Sequence, residues 1–162
     1  EVLTTHGEIY FVHGERTAPA DLPLTGSASY RTTLNNVSPS EAYWPAQLPR
    51  IPTQLSLTAD FGARTISAEF ERPFQRSGVF IDEMGTEAVV TGLDVEGIAP
   101  FTGLADFAIP LSGTETVSFR GGVLMPAVEG ELNGAFFGPQ GAAVGGTIDL
   151  TNDEHYSFIG ER

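Results

Sequence analysis

The three histidines of the chain, His6, His13 and His155, are the side chains best suited to ligand chemistry. An imidazole nitrogen can ligate a transition metal or bind haem iron axially, and Tyr10 lies between the first two histidines. Their spacing matches no metal motif, and exposed or hydrogen-bonded histidines are the alternative interpretation. The sequence therefore predicts no metal site and leaves haem as the one cofactor hypothesis.

A long proline-rich segment carries the aromatic side chains that favour partner recognition. Residues 35–52 contain four prolines, which exclude both a long helix and a central strand. The segment holds Tyr43 and the only tryptophan, Trp44. Long loops that carry aromatic residues are frequent at binding sites. The alternative is that these two rings cover one end of the fold as a hydrophobic lid.

A second irregular segment, residues 72–86, contains Phe74 and Phe80 beside the acidic pair Asp82 and Glu83. It is expected at the same end of the fold as the proline-rich segment. Together the two segments predict a partner-binding surface made of Tyr43, Trp44, Phe74 and Phe80.

No catalytic motif is present. The chain lacks a G-x-S-x-G elbow, an H-E-x-x-H pair and a glycine-rich phosphate loop leading into a helix, so we predict that it is not an enzyme. Two acidic groups offer oxygen ligands of the kind that Ca²⁺ prefers, although solvated turns are the favoured interpretation on so acidic a chain. These groups are Asp82, Glu83 and Glu87, and Asn152, Asp153 and Glu154.

Composition narrows the class of partner. The formal net charge is -13, from 8 basic and 21 acidic residues, which argues against nucleic acid because phosphate contacts need a basic surface. All basic residues are arginine and no cysteine is present, so Schiff-base lysines, disulfides and thiolate metal sites are excluded. No run of apolar residues is long enough for a transmembrane helix.

The dominant pattern along the chain is period-two alternation, which is typical of strands with one buried face. It is clearest in residues 54–61, where leucines, alanine and phenylalanine alternate with polar residues, and it recurs on both sides of Gly138 and Pro139. Gly134 and Gly146 fall on the otherwise apolar face, where a missing side chain lets the sheet bend tightly or lets a facing ring approach the backbone. The predicted strands lie within residues 26–34, 54–61, 65–71, 87–98, 104–111, 116–123, 129–150 and 155–159.

These strands predict an all-β fold, an antiparallel up-and-down β-barrel of about eight strands, because closure removes the exposed edges of such a meander. A β-sandwich is the rival. A barrel of this size is filled by its own side chains. We expect an N-terminal extension over residues 1–20, one barrel domain over residues 21–162, and one long proline-rich loop.

Several motifs, in order along the chain, resemble those of the β-barrel domain of transferrin-binding protein B-like surface lipoproteins, to which the barrel of factor H binding protein is related. The family pattern reads G-x-x-T, then L-P-x-x-G-x-A-x-Y, D-F-G, and G-x-F-F-G-P followed by V-G-G. The matching residues here are Gly14 and Thr17; Leu22, Pro23, Gly26, Ala28 and Tyr30; Asp60, Phe61 and Gly62; and Phe136, Phe137, Gly138, Pro139, Val144, Gly145 and Gly146. The family's acidic residues after G-P are replaced here by Gly141, Ala142 and Ala143.

The resemblance implies an exported protein of the Gram-negative cell envelope, at the outer membrane and cell surface or in the periplasm. It also implies that a lipid anchor, attached upstream of Glu1, is the means of any membrane association. Three functions follow as hypotheses. The first is a non-enzymatic binding or adaptor domain that recognises a protein partner through loops at one barrel end. The second is a haem or small-ligand carrier using His6, His13 or His155, and the third is an inert structural module.

Overall fold

The computed structural model describes residues 14–36, 53–72, 77–81, 87–102, 104–119, 122–152 and 154–162. Strands account for most of these residues, and two short 3₁₀ turns, Pro19–Asp21 and Pro139–Gly141, are the helical elements among them. The strands are β1 (Ser27–Asn36), β2 (Gln54–Asp60), β3 (Thr65–Arg72), β4 (Ser77–Ile81), β5 (Glu87–Pro100), β6 (Asp106–Phe119), β7 (Gly122–Leu124), β8 (Ala127–Phe137), β9 (Ala143–Leu150) and β10 (His155–Glu161).

The sheet closes on itself. Its strands follow the order β4-β5-β3-β2-β1-β10-β9-β8-β6-β7, and β5 also pairs with β6, from Ala88 opposite Phe119 to Glu96 opposite Ser112. Eight strands thereby form an antiparallel barrel, while β4 and β7 flank the part of the β5–β6 pair that projects beyond it. The predicted barrel is confirmed and the sandwich alternative is wrong.

Both predicted hairpins are present. In the first, β2 and β3 pair from Gln54 opposite Glu71 to Asp60 opposite Thr65, and every second residue of β2 is buried. In the second, β8 and β9 meet through the turn at Pro139–Gly141. This turn requires left-handed backbone at Gly138, Gln140 and Gly141, which glycine adopts without steric cost.

Two glycines of the second hairpin allow close approach inside the wall. Gly134 lies opposite Gly146, and a Cβ atom on Gly134 would lie 2.6 Å from a ring carbon of Phe107. A Cβ atom on Gly146 would lie 2.0 Å from the carbonyl oxygen of Asn133. The prediction that a ring packs against glycine backbone here is confirmed at Gly134.

The strand boundaries differ from the prediction on one side of the barrel. Residues 104–111 and 116–123 read as two strands, but Asp106–Phe119 is one long strand, and the chain returns as the short β7. The long strand persists because its second half pairs with the first half of β5. Gly113 permits this pairing, since a Cβ atom there would lie 1.9 Å from the carbonyl oxygen of Asp94.

One end of the barrel, which we call the closed end, is filled by aromatic rings. Phe136 lies at the centre, with its ring centroid 5.1 Å from that of Phe107 and 5.5 Å from that of Phe101. The Arg162 guanidinium lies 5.5 Å from the centre of the Phe61 ring, and the Tyr30 hydroxyl donates a hydrogen bond to the Gly141 carbonyl (2.7 Å).

The residues before β1 also pack at the closed end. The Thr17 amide donates to the Phe136 carbonyl at 3.0 Å, and the Gly138 amide donates to the Glu15 carbonyl at 2.9 Å. Leu22 is buried in the core. Residues 15–22 thus cover the outside of the β8–β9 turn. No helix in the described ranges is both long and apolar enough to cross a membrane.

Candidate functional site

Long connections leave the barrel at the end opposite the aromatic plug, which we call the loop end. The chain leaves β1 at Asn36 and enters β2 at Gln54, which lies opposite Glu71 near the last residue of β3. The segments between β1 and β2 and between β3 and β5 therefore start and finish at the same end. This agrees with the expectation that the proline-rich and phenylalanine-bearing segments share one end.

A polar group, here called the arginine cluster, lies inside the barrel wall at the loop end. Arg72 is the last residue of β3 and continues the inward-facing series of that strand. Its Nη1 donates to Glu154 Oε1 at 2.6 Å, and its Nη2 donates to Glu115 Oε1 at 3.2 Å. The three side chains are each 16% exposed. Such charge-assisted bonds are the strong ones among protein hydrogen bonds.

Two further side chains complete the arginine cluster. The Tyr156 hydroxyl donates to Glu154 Oε2 at 2.7 Å, and the Asn152 amide nitrogen donates to Glu115 Oε2 at 3.4 Å. Beneath them, the Tyr156 ring meets the buried Phe70 ring edge-on at 5.1 Å. The cluster therefore rests directly on the hydrophobic core.

The environment of the cluster shifts two pKa values. Burial raises the pKa of the Tyr156 phenol, and the negative charge of Glu154 raises it further. For Arg72, burial acts to lower the pKa of the guanidinium, but the charge of Glu154 and the hydrogen bond to it outweigh burial and raise that pKa. Arg72 therefore holds its charge and Tyr156 holds its proton at neutral pH.

The arginine cluster forms a hydrogen-bonded polar layer over the hydrophobic core at the loop end. One guanidinium neutralises one of two carboxylates, and both carboxylates are held by hydrogen bonds. Within the described ranges, no three His, Asp or Glu side chains are grouped so as to hold a metal ion. Of the Ca²⁺ alternative at residues 152–154, Asp153 lies outside the described residues, and Glu154 accepts hydrogen bonds from Arg72 and Tyr156.

An exposed apolar strand lies beside the cluster. Val123, Leu124 and Met125 are 60%, 57% and 64% exposed, and β7 pairs with the projecting end of β6. Three consecutive large apolar side chains in solvent are unusual on a monomeric surface and mark contact sites.

Most of the predicted partner-binding residues lie outside the described residues. This holds for Tyr43, Trp44 and Phe74. Phe80 is in β4, where its backbone is opposite Ala88 of β5. That position is beyond the barrel rim at the loop end. The role of these four residues stays a prediction.

Of the predicted haem ligands, His6 and His13 lie outside the described residues. His155 begins β10 on the outer wall, with 45% of its side chain exposed. Its Nδ1 lies 2.7 Å from Asp149 Oδ1, so the carboxylate accepts a hydrogen bond from this ring nitrogen. His155 is outside the arginine cluster, although it immediately follows Glu154.

Arg72 and Glu115 belong to a site that the sequence did not predict. Extending the alternation of β3 by one step, from Ile66, Ala68 and Phe70, places Arg72 inside the barrel. This extension of the alternation could have identified Arg72 from the sequence. The partners could not be found the same way, because Arg72 is separated from Glu115 by 43 residues and from Glu154 by 82.

Comparisons with known proteins give structural likeness only. No family model matches the sequence, and no curated protein matches it. Among solved structures, a double mutant of transferrin binding protein B from Haemophilus parasuis aligns with 92% of this chain at 19% identity and a TM-score of 0.42. Intact Ap-TbpB, with N and C lobes, aligns with 91% at 18% identity and a TM-score of 0.39. The chain spans 28% of the length of either structure. Membership of that family stays a prediction.

Proposed function

We propose that this chain is a non-enzymatic binding or adaptor domain of the bacterial cell envelope, which recognises a protein partner through the segments at its loop end. The proposal includes export to the cell surface or periplasm and, as the means of membrane association, a lipid anchor upstream of Glu1. It rests on the sequence resemblance to transferrin-binding protein B-like barrels and on the asymmetry between the two barrel ends.

The observation that carries the proposal is that the two aromatic segments start and finish at the same end of the barrel. Both the segment with Tyr43 and Trp44 and the segment with Phe74 and Phe80 are anchored at the loop end. The barrel interior is occupied by one continuous core of buried side chains. We therefore expect the partner to bind the outer surface of the barrel. The loop end has exposed apolar side chains of the kind found in the core of an interface.

The test is capture of a partner from native membranes and secretions by the immobilised domain. Replacing Tyr43 and Trp44 together by alanine should abolish saturable capture, because aromatic anchors supply most of the binding energy in typical interfaces. Circular dichroism and thermal unfolding should be unchanged, since strands β1 and β2 remain.

A matched control is Leu24→Ala, which removes an apolar side chain that is 76% exposed and precedes β1 at the closed end. This variant should capture the partner as well as the unaltered domain does. Equal capture by the Tyr43 and Trp44 double variant would remove the loop end from the proposal.

Haem carriage is the second candidate function. The Asp149–His155 pair supports it, because a carboxylate that holds one ring nitrogen orients the other for a metal. Titration with haemin should then produce a Soret shift that is lost in His6→Ala, His13→Ala or His155→Ala. A flat titration would end this hypothesis.

A further inference from the structure

The apolar edge, residues 122–127, forms the outer rim of the sheet where β6 projects beyond the barrel. β7 and the first residues of β8 pair with β6 on one side, from Phe119 opposite Gly122 to Thr114 opposite Ala127. On the other side, β9 pairs with β8 only as far as Leu150 opposite Gly130. Within the described residues, no strand lies against the outer side of 122–127, and all six residues are exposed.

The register fixes which backbone groups face outward. The Glu115 amide donates to the Pro126 carbonyl at 3.0 Å, so these two residues form a hydrogen-bonded pair. Such pairs alternate with non-bonded pairs along an antiparallel ladder. Val123, Met125 and Ala127 are therefore non-bonded positions, whose N–H and C=O groups point away from β6. Glu129 continues this outward row, and Thr151 satisfies both its amide and its carbonyl.

The usual protection of a free edge is missing here. Native edges are commonly blunted by charged side chains or by a proline that faces the edge. From Gly122 to Val128 no residue carries a charge. Pro126 does not interrupt the outward row, because its nitrogen is on the side of β6. The edge is short, but it presents three amides, three carbonyls and exposed Val123, Leu124 and Met125 side chains.

The negative charge of the chain indicates which kind of segment can bind the apolar edge. The charged residues between Gly122 and Asn133 are Glu129 and Glu131, both exposed, and the chain has a formal net charge of -13. A second copy would bring equal negative charge to this edge and be repelled. An extended segment with apolar and basic residues would gain from both the exposed apolar side chains and the nearby carboxylates.

We propose that the apolar edge receives an extended, basic and apolar segment of the partner protein as an added strand, in line with β9. Its backbone pairs with Val123, Met125 and Ala127, as in other cases of strand addition. Its apolar side chains cover Val123 and Met125, and its basic side chains approach Glu129 and Glu131. This inference rests on the proposed function for the nature of the partner, but it assigns a different surface from the aromatic segments.

The probe is a fluorescent synthetic peptide of about nine residues that alternates valine with lysine, long enough to span the edge. It should bind saturably, while the matched peptide with glutamate in place of lysine binds at least about tenfold more weakly. In amide exchange measured by NMR, Val123, Met125 and Ala127 should gain protection on binding. Leu124 is the internal control, because its amide faces β6 and is already bonded.

Two variants at one position isolate the backbone contribution. Met125→Pro removes an outward N–H that bonds to no other described residue of the free protein, whereas Met125→Ala keeps it. Met125→Pro should weaken peptide binding at least about tenfold more than Met125→Ala does. Exchange protection of the three amides in the unaltered protein tests the same pairing without relying on the proline variant.

Several results would overturn the inference. These are equal binding of the lysine and glutamate peptides, equal binding by the two Met125 variants, and protection absent from the three outward amides. Dimerisation that Met125→Pro abolishes would assign the edge to a second copy and overturn it as well. If partner capture needs Tyr43 and Trp44 but tolerates Met125→Pro, this inference falls and the proposed function stands. If the lysine peptide binds as expected but partner capture is unchanged when Tyr43 and Trp44 are replaced, the proposed role of the aromatic segments falls and this inference stands.

Discussion

Arg72 pairs with two partly buried carboxylates at the loop end of the barrel. It bridges carboxylates from two distant parts of the chain, Glu115 in β6 and Glu154 before β10. A carboxylate removed from water is stable only while it is paired or hydrogen-bonded. Arg72 therefore joins β3 to β6 and to the connection before β10, at the point where the hydrophobic core ends.

Replacing Arg72 with methionine should lower the free energy of unfolding by about 3 kcal/mol, because it leaves Glu115 and Glu154 without their cation in a largely buried site. Urea denaturation at neutral pH measures this loss. The matched control is Arg16→Met, which breaks an exposed ion pair with Asp106 and should cost at most about 1 kcal/mol. Equal losses in the two variants would show that the arginine cluster contributes no more to stability than an exposed ion pair does.

The buried phenol of Tyr156 predicts a loss of stability in alkali. Its pKa is raised above the ordinary value of 10.0 in the folded state, so above that pH the unfolded state ionises first. For each such tyrosine, the free energy of unfolding falls by about 1.4 kcal/mol per pH unit until the folded pKa is reached. Tyr156→Phe should therefore reduce the slope above pH 10 by about that amount. Urea titrations from pH 9 upward measure the slope.

Tyr30 acts as the comparison for this pH effect. Burial raises the pKa of its phenol too, against the opposing influence of Arg162. Tyr30→Phe should also make the alkaline slope shallower. Identical slopes in the unaltered protein and in both variants would contradict the assignment of raised pKa values to these two tyrosines.

Among the strands, the β8–β9 hairpin shows why glycine is needed within a barrel wall. Gly146→Ala would place a methyl group against the Asn133 carbonyl and the Gly134 Cα, at 2.0 and 2.7 Å before relaxation. The backbone of β8 or β9 must then move, and the variant should lose about 3 kcal/mol of stability or more in urea denaturation.

Gly62→Ala in the β2–β3 turn is the control for Gly146→Ala. Its added methyl would meet one flexible carboxylate oxygen, that of Asp60, at 3.3 Å. The cost should stay below about 1 kcal/mol. A comparable loss in the two glycine variants would mean that general glycine entropy, and not the close strand contact, sets the effect.

The strands also show how far the sequence could predict this structure. Alternation identified β1, β2, β3 and both hairpins, because each residue's face follows from its own position. It divided β6 wrongly, since Ser112 to Thr116 are extended by pairing with residues of β5 and β8 that are distant in the sequence. The arginine cluster escaped prediction for the same reason. Its members come from β3, β6, β10 and the connection between β9 and β10, and they meet only once the barrel is closed.

Negative charge is spread over the outer surface of the barrel. On neighbouring strands Glu69 lies directly opposite Glu96, and Glu71 lies opposite Asp94. Like charges at opposed positions are destabilising, and the net charge of -13 adds general self-repulsion. The closed barrel therefore carries an electrostatic cost that dissolved ions reduce.

Raising NaCl from about 10 mM to about 150 mM should raise the melting temperature by a few degrees, because the screening length falls from about 30 Å to about 8 Å. Differential scanning calorimetry measures the shift. Glu96→Gln should stabilise the protein by about 0.5 kcal/mol at low salt and show a smaller salt response. A melting temperature that falls over this range would contradict the repulsion.

The barrel is sealed by β10, which lies between β1 and β9. The β1–β10 seam joins segments from opposite parts of the sequence, so it can form only after nearly every other strand has left the ribosome. Contacts at such long range make folding slow. Until β10 is available, one edge of β1 and one edge of β9 stay unpaired, and the wall of the barrel stays open along that line.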